Sequence, residues 1–439
     1  MLAHKRLPVV FRQAMYNLRG GFLIRPLAIA LALGCAGAVL SWLEETVPAV
    51  GGWIPTAIFP SHADPQVAQV ILGGIGASIM TVVSIVFAIL LMTLTLASMQ
   101  FSPRIMLGFV RDGVTQWTLG IFLGTFSYCM AALPAARSQP TPFAPVATVL
   151  GAMLLALACV AWLLFFIHHI SRAISVNQIV DRIASETEAV VDDTMPWPRK
   201  RAHMEADERI ESLRWESAIS SEVSGYVRYI DIKRLVALAK SYHVKIQVLR
   251  RVGHFVPAGV PLMMISKAHQ DGPEQVTALQ AAFDLGPSRT LQQDIEFGVL
   301  QIVDIALKAI SPAVNDPSTA ISCVDQLSRI LIRVASREPP ESRMYDPPGV
   351  LRLYIRWPSF ERLLDSAFEQ IRMYSKADVA VSLRMLRALG DISRTTDDPE
   401  ICRIVLDRAN RIVAGCAERL GDHEMTEIRS RLSALQQTR

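Results

Sequence analysis

The chain has 439 residues, of which 51% are hydrophobic and only 19% are charged, and its formal net charge is +4. This length exceeds that of one ordinary domain, the apolar excess is unusual for a soluble enzyme, and the mild positive charge gives no reason to expect nucleic acid as a partner. The six cysteines form no CxxC pair and no histidine–cysteine cluster with zinc spacing. We therefore predict reduced cysteines, no metal site and no cofactor.

The apolar residues are concentrated in residues 1–170, which we interpret as a transmembrane domain. Four segments there are long enough to cross a hydrocarbon core about 30 Å thick. They lie at about residues 22–43, 67–97, 117–133 and 143–167. No Asp, Glu, Lys or Arg lies deep in any of them. Pumps and proton-coupled transporters usually need such groups, so their absence from the spans argues against both functions. The four apolar spans predict the lipid bilayer as a partner.

The loop charges predict the orientation of these spans. The segment before the first span is basic, the first loop carries Glu44, Glu45 and Asp64 without Lys or Arg, and basic residues return in the second loop and after the fourth span. Because basic loops stay on the cytoplasmic side, we expect both termini in the cytoplasm. In a bacterial cell this corresponds to a multi-pass protein of the inner (plasma) membrane.

Span two carries small and polar residues along one side of its predicted helix. The members of this stripe stay within an arc of about 160° at 100° per residue. Small residues allow membrane helices to pack closely, whereas a hydroxyl-lined face can also border water in a pore, and both interpretations remain open. The stripe consists of Gly74, Ser78, Thr81, Ser84, Ala88, Thr95, Ser98 and Ser102. In span three, Gly120 and Gly124 form a GxxxG pair that indicates helix packing.

The second half of the chain has an ordinary content of charge and is predicted to be a mixed α/β, mainly α-helical cytosolic domain. Its segments are a connecting helix and linker (171–216), a β-rich segment (217–267), a helical segment (268–337), and a strand followed by a C-terminal helical bundle (338–439). In the last segment, apolar and polar residues alternate over 350–357, and amphipathic helices follow from about residue 360. Such a bundle is typical of docking or self-association.

The β-rich segment contains two short motifs, Ser224-Gly-Tyr-Val and a Gly-x-x-Val-x-x-Gly-x-x-Leu pattern over 253–262. Together they resemble a small barrel of the lipoyl or biotinyl type. In such carriers a lysine follows an acidic residue on a hairpin, whereas Lys267 follows Ile265 and Ser266. The resemblance therefore implies a small barrel-like scaffold and not a carrier domain.

Polar residues gather where a helix over 289–310 gives way to another that starts near Pro317. Asp304 and Lys308 are spaced to pair on one helical face, and a helix N-terminus can hold an anion. One interpretation is a ligand or contact site, and the other is an ordinary capped helix–turn–helix with a surface ion pair. The candidate residues are Asp294, Asp304, Lys308, Ser311, Asn315, Asp316 and Thr319.

Three motifs follow one another along the chain: Gln100-Phe-Ser-Pro-Arg104, Ser224-Gly-Tyr-Val and Ser311-Pro-Ala-Val-Asn-Asp-Pro317. In this order they resemble a family of bacterial predicted membrane proteins catalogued as domain of unknown function 2254. The resemblance covers nearly the full length and implies a bacterial inner-membrane location. It implies no activity.

The sequence does not favour an enzyme, since it lacks a GxSxG motif, a phosphate-binding glycine loop, a metal-ligand set and a cysteine beside an obvious base. Of the functions that remain, the first is an ion channel or pore gated by the cytosolic domain. It would be a homo-oligomer, because four spans alone cannot enclose a wide pore. The alternative is a membrane-anchored sensor or scaffold whose cytosolic domain binds a ligand or a protein partner. Self-association is expected for the channel, and the ion or small ligand is left open.

Overall fold

The computed structural model describes residues 24–47, 64–100, 113–139, 142–173, 175–195, 214–266, 273–346 and 349–437. The described residues form two compact units that divide between Ser175 and Val176. The first unit is built of helices, and the second combines helices with two small sheets.

The first unit contains four helices that are long and apolar enough to cross a membrane. They are α1 (Ile24–Thr46), α2 (Pro65–Gln100), α3 (Gly113–Ala132) and α4 (Val146–Ala173), and a 3-10 turn, Leu133–Ala135, follows α3. Each predicted span therefore corresponds to one helix, with boundaries that differ by a few residues.

Helix α3 is the central helix of this unit and packs against α1, α2 and α4. Half of its apolar stretch is buried, more than twice the share in each of the other three helices. The GxxxG pair lies in the contact with α1: a Cβ atom at Gly120 would fall 2.6 Å from Ile29 Cδ1, and one at Gly124 would fall 2.5 Å from Leu33 Cδ1. Glycine at these two positions therefore permits the close approach of α1 and α3, as the sequence predicted.

Helix α2 starts at a local capping signal and buries one apolar side. The Asp64 carboxylate accepts a hydrogen bond from the backbone N–H of Gln66 at 2.8 Å, and Pro65 is the first helical residue. Gln69 Nε2 donates to the backbone oxygen of Ala136 at 2.7 Å and so joins α2 to the turn after α3. The buried side consists of Ala68, Leu72, Ile79, Val83 and Val86.

The second unit contains most of the secondary structure. Its helices are α5 (Val176–Thr194), α6 (Ile232–Ser241), α7 (Pro273–Gln280), α8 (Ile295–Ala309), α9 (Pro317–Ala335), α10 (Phe360–Tyr374), α11 (Val379–Arg394), α12 (Pro399–Ala417) and α13 (Asp422–Gln437). Its strands are β1 (Ser217–Ser220), β2 (Gly225–Ile230), β3 (Ile246–Val248), β4 (Phe255–Val256), β5 (Pro261–Ile265), β6 (Phe283–Gly286), β7 (Arg343–Asp346) and β8 (Val350–Tyr354). A mainly helical domain with some sheet follows the apolar helices, as predicted.

The strands form one sheet of order β1-β5-β3-β8-β7 and a second of order β4-β2-β6. Within the described residues neither sheet closes on itself, so the barrel-like scaffold is not confirmed. The reason lies in the strand partners: β3 pairs in parallel with β8, Ile246 opposite Leu353, and β2 pairs with β6. The segment 217–267 thus completes its sheets with strands from later parts of the chain. The shared apolar core of both sheets and α6 includes Val227, Leu235 and Leu353.

Helix α5 packs against α8 and α9, and arginines of α9 bind its acidic side chains. Arg329 donates hydrogen bonds to Asp181 at 2.9 Å and to Glu188 at 2.5 Å. One turn further along, Arg333 binds Asp192. These ion pairs hold α5 against α9 within the second unit.

Helices α10 to α13 form the helical part of the C-terminal segment. Ser359, Asp378 and Asp398 precede α10, α11 and α12, and each accepts a backbone hydrogen bond from the first turn of its helix. Helix α11 packs against α12 and α13, and Arg408 on α12 donates to Glu361 on α10 at 2.9 Å.

Candidate functional site

The α2 stripe lies on the side of the helix that faces away from the other three helices. All members with a described side chain are exposed: Gly74, Ser78, Thr81, Ser84, Ala88 and Thr95. Ser98 is in α2 but its side chain is not described, and Ser102 lies outside the described residues. At 100° per residue the stripe is centred about 180° from the buried side of α2. The exposed members therefore take no part in the packing among the four helices.

The hydroxyl groups of the stripe are hydrogen-bonded within α2 itself. Thr81, Ser84 and Thr95 each donate to the backbone carbonyl four residues earlier, at 3.1, 3.0 and 2.8 Å. These bonds satisfy the hydroxyl hydrogen without a partner helix. The oxygens of Thr81 and Ser84 each keep a lone pair that can accept a hydrogen bond from water or contact a cation. The stripe is therefore a line of small groups and acceptor oxygens on the outside of the unit.

The exposed stripe is long enough to cross a bilayer. From Gly74 to Thr95 the helical rise amounts to about 32 Å, close to the core thickness of about 30 Å. Residues 65–100 contain no Asp, Glu, Lys or Arg. The stripe thus extends without charge over the depth of the membrane core, and the exposed residues Ile85 and Met92 lie on the same face between its small residues.

The turn between α8 and α9 brings five of the predicted site residues together. Asp316 caps α9 and accepts hydrogen bonds from the Thr319 backbone N–H at 3.1 Å and from its hydroxyl at 2.6 Å, and the Thr319 hydroxyl holds the pKa of Asp316 below its ordinary value. Asn315 adopts a φ of +51° and donates from its backbone N–H to Ser311 O at 2.9 Å. Ser311 Oγ donates to Lys308 O at 2.7 Å. These bonds all lie within the turn, as in a capped helix–turn–helix, and a contact site here stays a prediction.

Of the two remaining candidates, Asp304 lies one helical turn before Lys308, and Asp294 lies at the opposite end of α8. Asp294 is the N-cap of α8, accepts from the Phe297 backbone N–H at 3.0 Å, and binds Arg289 through two hydrogen bonds of 2.8 and 2.9 Å. Along α8 it is about 20 Å from Lys308. Asp304 is half-buried in the middle of the same helix. Asp294 therefore lies apart from the other six candidates.

Comparison with known proteins connects both units to one family. A family model described as predicted membrane protein, DUF2254, matches residues 19–391. The chain belongs to this family. Uncharacterized proteins of Mycobacterium bovis and Mycobacterium tuberculosis are each 31% identical to it over 413 residues, which are 92% of this chain and 77% of the relative. No solved structure matches the chain.

The DUF2254 match includes all four apolar helices and most of the second unit. It ends at residue 391, inside α11, so that α12 and α13 lie beyond it. The α2 stripe and the turn between α8 and α9 both fall within the DUF2254 range. Membership makes the chain one of a family of predicted membrane proteins, and the family description names no activity.

A buried carboxylate of this DUF2254 chain was not recognised in the sequence, where Glu44 counts only as part of an acidic loop. Glu44 is 4% exposed, and its carboxylate accepts from the Ala147 N–H at 2.8 Å, the Thr148 N–H at 3.1 Å and the Thr148 hydroxyl at 3.1 Å. It caps α4 from α1, 103 residues away from Ala147. The available signal is indirect: Pro145 precedes α4 in place of an Asn, Asp, Ser or Thr cap, so the residue at this position cannot cap the helix with its side chain.

Proposed function

We propose that this membrane protein is a homo-oligomeric channel in which the α2 stripes of several copies face a common pore. The observation that carries the proposal is the exposure of the stripe on the side of α2 opposite its buried face. Small side chains leave room for a pore, and the hydroxyl oxygens of Thr81 and Ser84 provide acceptors for hydrated ions. One copy packs its helices around α3, so several copies are needed to enclose the pore.

The proposal also assigns a place and an orientation. The second unit and both termini lie in the cytoplasm, below the bacterial inner membrane, because the loop charges favour this side. Activity of a C-terminal reporter that works only in the cytoplasm is expected, and activity of one that works only in the periplasm would contradict the orientation.

The gating part of the proposal rests on chain connectivity and on α5. Helix α4 ends at Ala173, and α5 begins at Val176. Ion pairs hold α5 against α9 within the second unit. A rearrangement of that unit therefore displaces the start of α5 and the short chain segment that connects it to α4. This short connection is the route by which the cytosolic unit would open or close the pore.

Ion flux from liposomes carrying the purified full-length protein tests the channel. Combined substitution Thr81→Leu, Ser84→Leu and Thr95→Leu makes the stripe apolar and should abolish flux while the oligomer mass in detergent is unchanged. The matched control exchanges an apolar residue at an exposed position of the same helix outside the arc of the stripe, Phe87→Leu, and should conduct like the parent. Undiminished flux of the triple variant contradicts the pore. Loss of the oligomer instead indicates that the stripe is a packing seam between copies.

The second candidate function is a membrane-anchored sensor or scaffold. It is favoured by the ion pairs between α5 and α9, which would transmit a change in the second unit whether or not the first unit conducts ions. A verified oligomer that shows no flux under salt, voltage and osmotic gradients would select this function over the channel.

A further inference from the structure

A buried carboxylate of the second unit is surrounded by arginines from three separate parts of the chain. Glu296, in the first turn of α8, has a side chain that is 9% exposed. Its Oε1 accepts from Arg362 Nε at 2.9 Å and from Ser366 Oγ at 3.2 Å. Its Oε2 accepts from Arg251 Nη2 at 3.2 Å and lies 3.7 Å from Arg289 Nη2. Three guanidinium groups thus share one carboxylate.

The charges of this group do not cancel. Arg250 adds a fourth guanidinium, close enough for its charge to lower the pKa of His254, and Asp294, paired with Arg289, adds a second carboxylate. Burial alone raises the pKa of Glu296, but the surrounding arginines outweigh it and the pKa is lowered, so the carboxylate is ionised at neutral pH. Four arginines against two carboxylates leave an excess of positive charge.

Two buried donors of the group have no acceptor among the residues that the structure describes. His254 Nε2 accepts from Arg251 Nε at 3.1 Å, so the hydrogen of the neutral imidazole is on Nδ1, and this buried Nδ1 has no partner. Arg250 Nε is buried and has no partner either. Burial lowers the pKa of His254 and the neighbouring arginines lower it further, which keeps the ring neutral. Buried donors normally find an acceptor, because leaving them without one is costly.

The loop that carries these donors is held closely against α8. Gly253 has a φ of +88°, and a Cβ atom there would fall 2.6 Å from Asp294 Oδ2 and 2.7 Å from Arg289 Nη2. A side chain at position 253 would therefore collide with the Arg289–Asp294 pair. Glycine lets the loop place Arg251 and His254 beside Glu296, so the group is an assembled part of the fold.

We propose that Arg250, Arg251, Arg362 and His254 bind a phosphate-type oxyanion. Such an anion supplies both things that the group lacks, a negative charge and acceptor oxygens. Guanidinium groups suit it because they present two parallel N–H donors to two oxygens, and the Nη atoms of Arg362 have no partner within the described part of the chain. The inference does not depend on whether the protein conducts ions. A free phosphate and the phosphate of a lipid headgroup share this chemistry.

Isothermal titration calorimetry on the full-length protein in a phospholipid-free detergent tests the site with inorganic phosphate, at an ionic strength held constant with sodium chloride. We expect saturable binding that Arg362→Gln weakens about 10- to 100-fold, the usual effect of losing a charged hydrogen-bond donor. Arg394→Gln is the matched control, since the two arginine side chains are 56% and 57% exposed. It should bind phosphate like the parent. Arg250→Gln is the second variant, and it should also weaken binding.

A parallel titration with a short-chain phosphatidic acid distinguishes the two sources of the anion. Binding of inorganic phosphate that Arg362→Gln weakens and Arg394→Gln leaves unchanged supports a soluble ligand. Binding of phosphatidic acid alone, with the same dependence on the two variants, supports a lipid headgroup. Absence of saturable binding for both probes, or equal affinity of the parent and both cluster variants, overturns the proposal.

Discussion

Arg333 on α9 donates two hydrogen bonds to the carboxylate of Asp192 on α5, from Nε to Oδ1 at 2.9 Å and from Nη2 to Oδ2 at 2.6 Å. Arg337 adds a third, from Nη2 to Oδ1 at 2.5 Å. The Asp192 side chain is 38% exposed, so water screens these charges and their contribution to stability is modest. Their main effect is to fix where α5 lies on α9.

The stability contribution of Asp192 should depend on pH. Hydrogen bonding from Arg333 holds the pKa of Asp192 below its ordinary value of 3.8. A carboxyl whose pKa is lower in the folded state stabilises the fold above its unfolded pKa and loses this effect as the pH falls through the folded pKa. The difference in melting temperature between the parent and Asp192→Asn should therefore be largest at about pH 6 and should decrease towards about pH 3. A difference that stays constant over this range would contradict the pairing.

The contact between α5 and α8 should be intolerant of a larger side chain at Gly298. A Cβ atom there would collide with Thr187 Oγ1 and lie 2.8 Å from Thr187 Cγ2. Gly298→Ala should destabilise the protein by about 1–3 kcal/mol, as overpacking usually does. Thr187→Ala in the same chain should recover part of the loss, because it removes both atoms. Thermal unfolding of the two single variants and the double variant measures the coupling.

Gly390→Ala is the control for this experiment. Gly390 lies inside α11, and the nearest atom to its Cβ position is Leu435 Cδ1 at 4.0 Å. Alanine there should be neutral or slightly stabilising, since it favours the helix. If Gly298→Ala behaves like Gly390→Ala, α5 and α8 do not approach each other as described.

Several of these features could be predicted from the sequence because they depend on neighbouring residues. The caps at Asp64 and Asp316 lie next to a proline at the helix start, and Gly120 and Gly124 are one helical turn apart. The pattern of span two also distinguishes two faces of α2. It does not show which face is buried, because both are uncharged and the choice is made by packing against α3 and α4.

The remaining features join residues that are far apart in the chain. Strand β8 pairs with β3, Glu44 on α1 caps α4 three spans later, and the group around Glu296 combines a loop, a helix start and α10. No local pattern of residues marks such partners. The barrel-like expectation for 217–267 had the same weakness, since it assumed that the strands of this segment pair only with one another.

The close packing of α1 against α3 should be most sensitive to a larger side chain at Gly37. A Cβ atom there would fall 2.6 Å from the backbone oxygen of Tyr128, and a backbone atom cannot move aside as the end of a side chain can. Gly37→Ala should lower the melting temperature in detergent by more than Gly120→Ala, whose new atom meets the flexible end of Ile29. Gly73→Ala is the control, with no atom within 4 Å of its Cβ position. Equal stability of Gly37→Ala and Gly73→Ala would contradict the close contact.

The adjacent residues Glu44 and Glu45 should differ in their effect on stability. Glu44→Ala leaves buried backbone donors at the start of α4 without their acceptor, which typically costs about 1–3 kcal/mol. Glu45 forms an exposed ion pair with Arg137, and Glu45→Ala should change little because water screens such pairs. Melting temperatures of the two single variants provide the comparison. A larger loss for Glu45→Ala would reverse the assigned roles.

The central claim is that the α2 stripe faces water in a pore, and cysteine modification tests it most directly. Ser84→Cys is introduced, and flux from proteoliposomes is recorded before and after adding a charged, membrane-impermeant thiol reagent. The parent chain, with its native cysteines, and Val83→Cys on the buried side serve as controls. The channel predicts that the reagent blocks flux in Ser84→Cys and leaves both controls unchanged. Flux through Ser84→Cys that persists after the reagent, at the level of the controls, would contradict the claim.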